Sequence, residues 1–445
     1  MTNGSGFRHR AIGRRQFLGG VGALGLTAAL AACSSPAGGA KAGDGPVTLT
    51  WWSWLSNAPA LAKAYEKQYP NVKIQFTQVP GGTPAYTKYG AALRAGSGAA
   101  DVLQIEYQEL PQFASEGHIV DMTSYVKKYM AGFPDFTKRM VTYQGKIWGA
   151  PIDLDPMMLL YRPDTLQKHS IPVPTTWTDF ASAAKTLHEA DPSKYMTFFA
   201  PNNGGRMMGM LWQGGATPFE DQGNGTWKID FTSTAAKQVM NFWGDLIKAG
   251  YVKVDTDFTP AWGNSIANGV YATDVGAIWS PTYEIGPYLK KAGYKWKAAV
   301  MPQWDASNPL QSMWGGLSFA VTDQCKNPAA AAQFATWLGT NKTALESHGT
   351  AGGLYCASKD FANTAAFTSG MPVLGGQKEN QLVSTIIPTL EKSMFQWSPW
   401  TQYAYGQLQA QMQDAVTGKI TYNQALANVQ ASVVQTAKQQ GYKVA

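Results

Sequence analysis

From Val47 onward the chain alternates short apolar or β-branched runs with longer stretches whose apolar residues recur at helical spacing. Val47 to Trp54 reads as a strand, and Ala58 to Tyr69 as a helix that Pro70 stops. Val72 to Val79 alternates apolar and polar positions as a half-buried strand does. Tyr86 to Ala95 suits a helix ended by Gly96, and Asp101 to Ile105 a short buried strand. This strand–helix rhythm predicts an α/β unit built on a largely parallel sheet.

A second such region follows. Leu159 to Arg162 suits a strand, Thr178 to Ala190 and Ala235 to Lys248 suit helices, and Val275 to Trp279 a strand ahead of Ser280-Pro281. The first pattern then resumes, with a strand at Leu317 to Val321 and an alanine-rich helix from Pro328 to Leu338 behind Asn327 as N-cap. The tail from Tyr403 to Gln440 reads as helix, broken at Gly418 and restarted after Thr421. About 400 residues past the leader exceed what one hydrophobic core supports, so two lobes and a cleft are expected.

The N-terminus reads as a delivery label. Arg8, Arg10, Arg14 and Arg15 precede an uncharged apolar run from Phe17 to Ala32, which is too short to span a membrane, so residues 1–33 are expected to be a signal peptide. Arg14-Arg15-Gln16-Phe17-Leu18 resembles a twin-arginine export signal. Leu30-Ala31-Ala32-Cys33 resembles a bacterial lipobox, in which Cys33 becomes the acylated, palmitate-bearing first residue. Residues 34–45 are then a flexible tether, and the protein is expected to be lipid-anchored on the outer face of the cytoplasmic membrane.

Charge and composition narrow the choice. Without its four leader arginines the formal net charge falls from +7 to about +3, and no basic stripe remains that would neutralise a nucleic-acid backbone. The five histidines are scattered and the cysteines form no C-x-x-C, so no metal site and no cofactor are expected. The G-x-G-x-x-G at Gly20 to Gly25 lies inside the leader with no strand before it. There is no nucleophile elbow and no Walker loop, and the chain is read as a binding protein rather than an enzyme. With Cys33 assigned to lipid, Cys325 and Cys356 remain as an even pair, open either to a disulfide or to two separately buried thiols.

Asp153-Leu154-Asp155 is a tight carboxylate pair that follows Gly149-Ala150-Pro151. Neighbours at i, i+2 face the same way, which suits hydrogen bonding to ligand hydroxyls better than bracketing a glycosidic bond from both sides. All sixteen tryptophans lie past the leader, and several, among them Trp54, Trp279, Trp314 and Trp397, stand where strands and helices end. Flat indoles beside acids and amides match the apolar face and hydroxyl rim of a sugar ring, although core packing is the alternative for each.

Several ordered segments resemble the family 1 extracellular solute-binding proteins of ABC importers, of which the maltose-binding type is familiar. They are Gly117-His118-Ile119-Val120-Asp121-Met122-Thr123, Gly145-Lys146-Ile147-Trp148-Gly149-Ala150-Pro151, Pro174-Thr175-Thr176-Trp177 and Gly315-Gly316-Leu317-Ser318-Phe319. The resemblance implies a two-lobe, type II periplasmic-binding-protein-like α/β fold with a hinged interlobe cleft. It divides the chain into residues 45–155 with 314–372, and 156–313 with 373–445. Its cleft residues map onto Ser53, Trp54, Glu106, Tyr107, Asp153, Asp155, Trp279, Tyr283, Trp314, Gly315, Gly316 and Trp397. It further implies a monomer that captures a mono- or oligosaccharide and hands it to the permease subunits of an ABC importer. Arg162 stands where many members have Asn, and Glu106 where many have Asp or an uncharged residue, so a maltose specificity does not follow. The other readings are a glycerol phosphate ester held by Arg162 and Arg206, a polyamine held by Glu106, Asp153 and Asp155, or a surface glycosidase or lyase.

Overall fold

Two β-sheets organise the chain, and the segments that pass between them carry the acids singled out above. The computed structural model describes residues 45–289 and 295–445. The signal peptide, Cys33 and most of the tether lie outside the described residues.

The larger sheet is built from β1 (Val47–Ser53), β2 (Val72–Gln78), β3 (Val102–Glu106), β4 (Ala150–Pro151) and a strand from far along the chain. Helices α1 (Ala58–Gln68) and α2 (Thr83–Arg94) make the crossovers that let β1 pair in parallel with both β2 and β3. The start of α2 lies three residues before the expected one because Pro84 sits in its first turn, where a missing N–H costs nothing.

The second sheet holds β5 (Met157–Tyr161), β6 (Thr273–Ala277) and β7 (Lys297–Val300) in the order β6-β5-β7. Both neighbours run antiparallel to β5, so the parallel arrangement expected for this region is corrected. Around it stand α3 (Trp177–Ala190), opened by a Thr176–Asp179 capping box, α4 (Gly204–Gln213), capped by Asn203, and α5 (Thr234–Lys248), capped by Ser233.

The distant strand of the first sheet is β8 (Leu317–Val321), which inserts antiparallel between β3 and β4 with Leu317 opposite Glu106 and Val321 opposite Val102. Every residue of β8 is buried, as befits a central strand covered on both faces. Its cover includes the alanine-rich α6 (Pro328–Thr340). Below β1, Trp51 meets Phe76, Phe319 and Phe334 at ring distances of 5.2, 5.4 and 5.1 Å. The tail forms α7 (Thr401–Val416) and α8 (Tyr422–Gln439), which pack on each other and on α4 and α5; the break falls at Gly418, whose φ of +75° suits glycine.

The passing segments bond to each other. Met157 N donates to Ser312 O and Trp314 N to Asp155 O, while on the other side Leu154 N donates to Tyr355 O. Residues 152–157 therefore run between residues 312–317 and 354–357, and their backbone is satisfied on both edges. Cys356 sits opposite Asp153 in this ladder, whereas Cys325 follows the far end of β8, next to Thr322. At roughly 3.3 Å per strand residue the length of β8 alone exceeds the 4.4–6.8 Å or so that a disulfide spans between Cα atoms. Both thiols are free, and the disulfide reading is replaced by the alternative of two separate thiols.

Candidate functional site

A cavity of about 720 Å³ opens where the C-terminal ends of β1 and β3 face Asn203-Gly204-Gly205 at the start of α4 and the Trp279 segment beyond β6. Seven of the twelve expected residues line it: Trp54, Glu106, Asp153, Asp155, Trp279, Tyr283 and Trp314.

Ser53, Tyr107, Gly315 and Gly316 act one layer behind. The Ser53 hydroxyl donates to Gln104 Oε1, which also accepts Trp54 N at 3.0 Å, fixing the backbone that carries the Trp54 ring. Tyr107 donates through its hydroxyl to Asp153 O at 2.7 Å and through its backbone N–H to Gly316 O. Gly315 and Gly316 have φ of +104° and +109°, which L side chains rarely adopt. A Cβ at Gly315 would lie 2.5 Å from Asp155 Oδ2 and one at Gly316 2.6 Å from the Tyr107 ring. The pair is glycine because a carboxylate and an aromatic ring press against it from either side.

The structure places Trp397 elsewhere. It lines a separate cavity of about 320 Å³ with Tyr143, Asp221 and Phe395, and its ring meets Phe395 at 4.7 Å and Trp212 at 5.9 Å. Trp51, Trp212, Trp262 and Trp400 are likewise buried packing residues, so core packing is the correct reading for them.

One wall of the cavity is acidic. Asp153 accepts Leu317 N on Oδ1 at 2.5 Å and Asp155 accepts Gly316 N on Oδ2 at 2.8 Å, while Asp153 Oδ2 and Asp155 Oδ1 have no partner. Burial, with the nearby Glu106 charge adding to it, pushes the Asp153 carboxyl up to about 7. Asp155 is raised well above the usual carboxylate range by burial and by the charges of Asp153 and Glu106. Glu106 is raised by burial too, and the Tyr86 hydroxyl, donating at 2.7 Å, holds part of that rise back.

The adjoining wall is aromatic, and the cation behind it is paired with acids. Trp279 donates from Nε1 to Trp314 O at 2.9 Å, and the two rings meet at 4.5 Å and 61°. Behind Trp314 the Arg206 guanidinium lies 4.4 Å from the ring centroid. Arg206 pairs with Asp274 at 2.6 Å, with Asp257 at 3.5 Å and with Glu284. Burial works against its charge, and these three carboxylates outweigh burial and raise its pKa. Burial pushes Glu284 up to about 8 despite the pull of Arg206.

Sequence reasoning missed Phe258, Asn202, Asn203 and Tyr405. Phe258 lines the cavity 49% exposed at a φ of +57°, in offset stacking with Trp279 at 6.5 Å and 22°. The amides of Asn202 and Asn203 both donate to Asp257 at 2.7 Å. The Asp257-Phe258 step was a visible pointer, an acid before an aromatic in a loop, but its left-handed backbone cannot be read from residue types.

Arg162, the other phosphate candidate, is at the end of β5 away from the cavity and pairs with Asp164 at 2.6 Å. Among the described residues no cluster of His, Cys, Asp and Glu suits a metal ion, and no helix is long and apolar enough to cross a membrane.

Two α/β layers joined by crossing segments, with an aromatic and carboxyl cavity between their strand ends, define a two-lobe binding protein of the type II periplasmic kind. The model of the bacterial extracellular solute-binding protein family matches residues 51–345, and the chain belongs to that family. It is 25% identical over 266 residues to an arabinooligosaccharide-binding protein of Halalkalibacterium halodurans, a match covering 57% of this chain and 58% of that one. A binding protein from Bifidobacterium animalis subsp. lactis, solved with β-1,6-galactobiose, is similar at a TM-score of 0.77 and 25% identity, over 89% of this chain and 99% of that one. The galacto-N-biose/lacto-N-biose I-binding protein of Bifidobacterium longum is similar at 0.79 and 22% identity, over 91% and 100%.

Proposed function

We propose that this family member is an extracytoplasmic receptor that captures a mono- or oligosaccharide and delivers it to an ABC import permease, without chemistry of its own. The observation that carries this reading is the cavity wall: Trp54, Phe258, Trp279 and Trp314 offer flat faces, and Glu106, Asp153, Asp155 and Gln108 offer acceptors and amides, with no Lys, Arg or His among the lining residues. Ring stacking on the first set and hydroxyl donation to the second match a sugar in both respects. The oligosaccharide names of the relatives above agree with it.

A phosphate ester is disfavoured because Arg206 is held behind Trp314 by three carboxylates and Arg162 is far from the cavity. Lobes at 45–155 with 314–372 and at 156–313 with 373–445 would close on the ligand about the three crossing segments. A twin-arginine leader, acylation at Cys33 and action as a lipid-anchored monomer on the outer face of the membrane complete the proposal.

Thermal unfolding of the purified chain against a panel of sugars, glycerol phosphates and polyamines tests it, since a ligand at a hundred times its Kd adds about 2.7 kcal/mol. A midpoint raised by a sugar, and no longer raised in Trp314→Ala, supports the reading. A rise with phosphates or polyamines alone overturns it.

A further inference from the structure

The carbohydrate reading leaves one feature of the cavity unexplained, which is its charge. Three carboxyl side chains, Glu106, Asp153 and Asp155, converge on one wall, and no basic residue lines the space they face. The fourth acid on the lining, Asp257, is already answered by Arg206 and by the Asn202 and Asn203 amides. Asp153 and Asp155 are at least nine-tenths buried, and each keeps one oxygen without a hydrogen-bond partner. Such a group is costly to leave unmet inside a protein, so it points to something the ligand supplies.

Hydroxyl groups of a neutral sugar can donate to these oxygens but bring no charge. A protonated amine brings both the hydrogen bonds and the charge, and its ammonium is attracted to the indole and phenyl faces that line the same cavity. We infer that the ligand is an amino sugar with a free amine, a mono- or oligosaccharide bearing unacetylated amino groups, whose ammonium is held by Glu106 beside Asp153 and Asp155. This deepens the carbohydrate reading and rests on it.

The groups facing Glu106 are the Tyr86 and Tyr89 hydroxyls from α2, the Gln108 amide beyond β3, the Asp153 and Asp155 carboxyls from the crossing segment, the Tyr405 hydroxyl from α7, and Glu109 behind. All four acids are raised above the usual carboxylate range, first by burial, and an ammonium placed among them favours their ionised forms. Binding of the amine therefore releases protons, and its affinity rises with pH until the amine itself deprotonates.

Titration calorimetry on the purified chain tests the inference with matched pairs: glucosamine and glucose, the β-1,4-linked glucosamine dimer with cellobiose and with its di-N-acetyl form, and spermidine alone. The expected result is a free-amine member bound about tenfold or more tightly than its hydroxyl and acetamido counterparts, with proton release seen in buffers of different ionisation enthalpy. Glu106→Gln, which keeps a hydrogen-bonding group and loses the charge, should abolish the preference while leaving the unfolding midpoint of the empty protein within a few degrees. A panel in which no amine outbinds its neutral partner overturns the inference. If neutral sugars bind in that case, the carbohydrate reading survives; if only spermidine binds, both fall.

Discussion

The two walls of the cavity handle buried charge in opposite ways. On the aromatic wall three carboxylates, Asp257, Asp274 and Glu284, surround the guanidinium of Arg206, and the cluster is roofed by Trp314. On the acidic wall Glu106, Asp153 and Asp155 have no cation, and only backbone N–H groups and the Tyr86 and Gln108 side chains attend them. The first arrangement pairs its acids with a cation without a ligand and serves to fix a platform. The second has no cation of its own. Structure and recognition thus draw on the same residue types, and the presence or absence of an internal partner separates the roles.

Removing the cation from the charge-paired wall is expected to have the largest effect. Arg206→Ala strands three buried carboxyls and uncovers the rear of Trp314, at a cost of about 3–5 kcal/mol in unfolding free energy. Because those carboxyls can be protonated, the loss should shrink when denaturant unfolding is repeated at pH 5. A loss independent of pH would mean that packing rather than charge is what Arg206 supplies. The matching change on the acidic wall should behave differently. Asp153→Asn removes a carboxylate that has one unpartnered oxygen, so at pH 8 the empty protein should be no less stable than the parent, while sugar binding falls at least about tenfold, as expected for a lost hydrogen bond to a charged group. Equal destabilisation by the two substitutions would erase the distinction between the walls.

How far each wall could be read from sequence follows from the same difference. The acidic wall comes from short continuous stretches, Asp153-Leu154-Asp155 and Gly315-Gly316, in which the i, i+2 spacing and the paired glycines already state a common face and a close approach. The strand and helix sequence around it was equally legible, with α2 displaced by one turn and β3, β5 and β6 by one or two residues. The other wall gathers Asn203, Arg206, Phe258, Asp274 and Glu284 from four separate elements, and nothing local relates them. Strand direction in the second sheet failed for a similar reason, since pairing between distant strands is a tertiary choice. Trp397 failed because indole at an element end suits a cavity and a core equally, and its neighbours Trp212 and Phe395 made it core.

Proton linkage gives a smaller effect with a definite sign. Asp153 near 7, Glu109 and Glu284 near 8, and Glu379 near 7 all sit above the ordinary carboxylate value, with burial as the first cause. Between about pH 4 and their folded values the native state holds protons that the unfolded chain has lost, so stability falls as pH rises through that window. His348 works the other way: burial lowers it to about 4, so stability falls as pH drops below about 6.5. Since Glu106, Asp155 and Asp274 are raised as well, the raised carboxyls outnumber the one lowered histidine, and the melting midpoint of the empty protein should be higher at pH 5.5 than at pH 8, by at least about 2 °C for a chain of this size. Ligand should reduce this pH dependence, since Asp153 lines the cavity whereas Glu284 and Glu379 do not; a dependence unchanged by ligand would place the responsible protons on the other wall or at Glu379.

The smallest expected change concerns the residue on which the two walls are least alike. Phe258 holds an exposed phenyl at a φ of +57°, a conformation that costs a non-glycine residue about 1–2 kcal/mol. Its ring recovers part of that by meeting Trp262 at 5.9 Å and Trp279 at 6.5 Å. Phe258→Gly relieves the backbone and deletes those contacts, two terms of similar size and opposite sign, so the unfolding free energy should stay within about 1 kcal/mol of the parent. Ligand affinity should nonetheless fall about fivefold or more, because a face of the platform is gone. A strained residue whose removal leaves stability in place and weakens binding is held there for the ligand; a drop in stability with binding intact would instead make Phe258 a packing residue that happens to border the cavity.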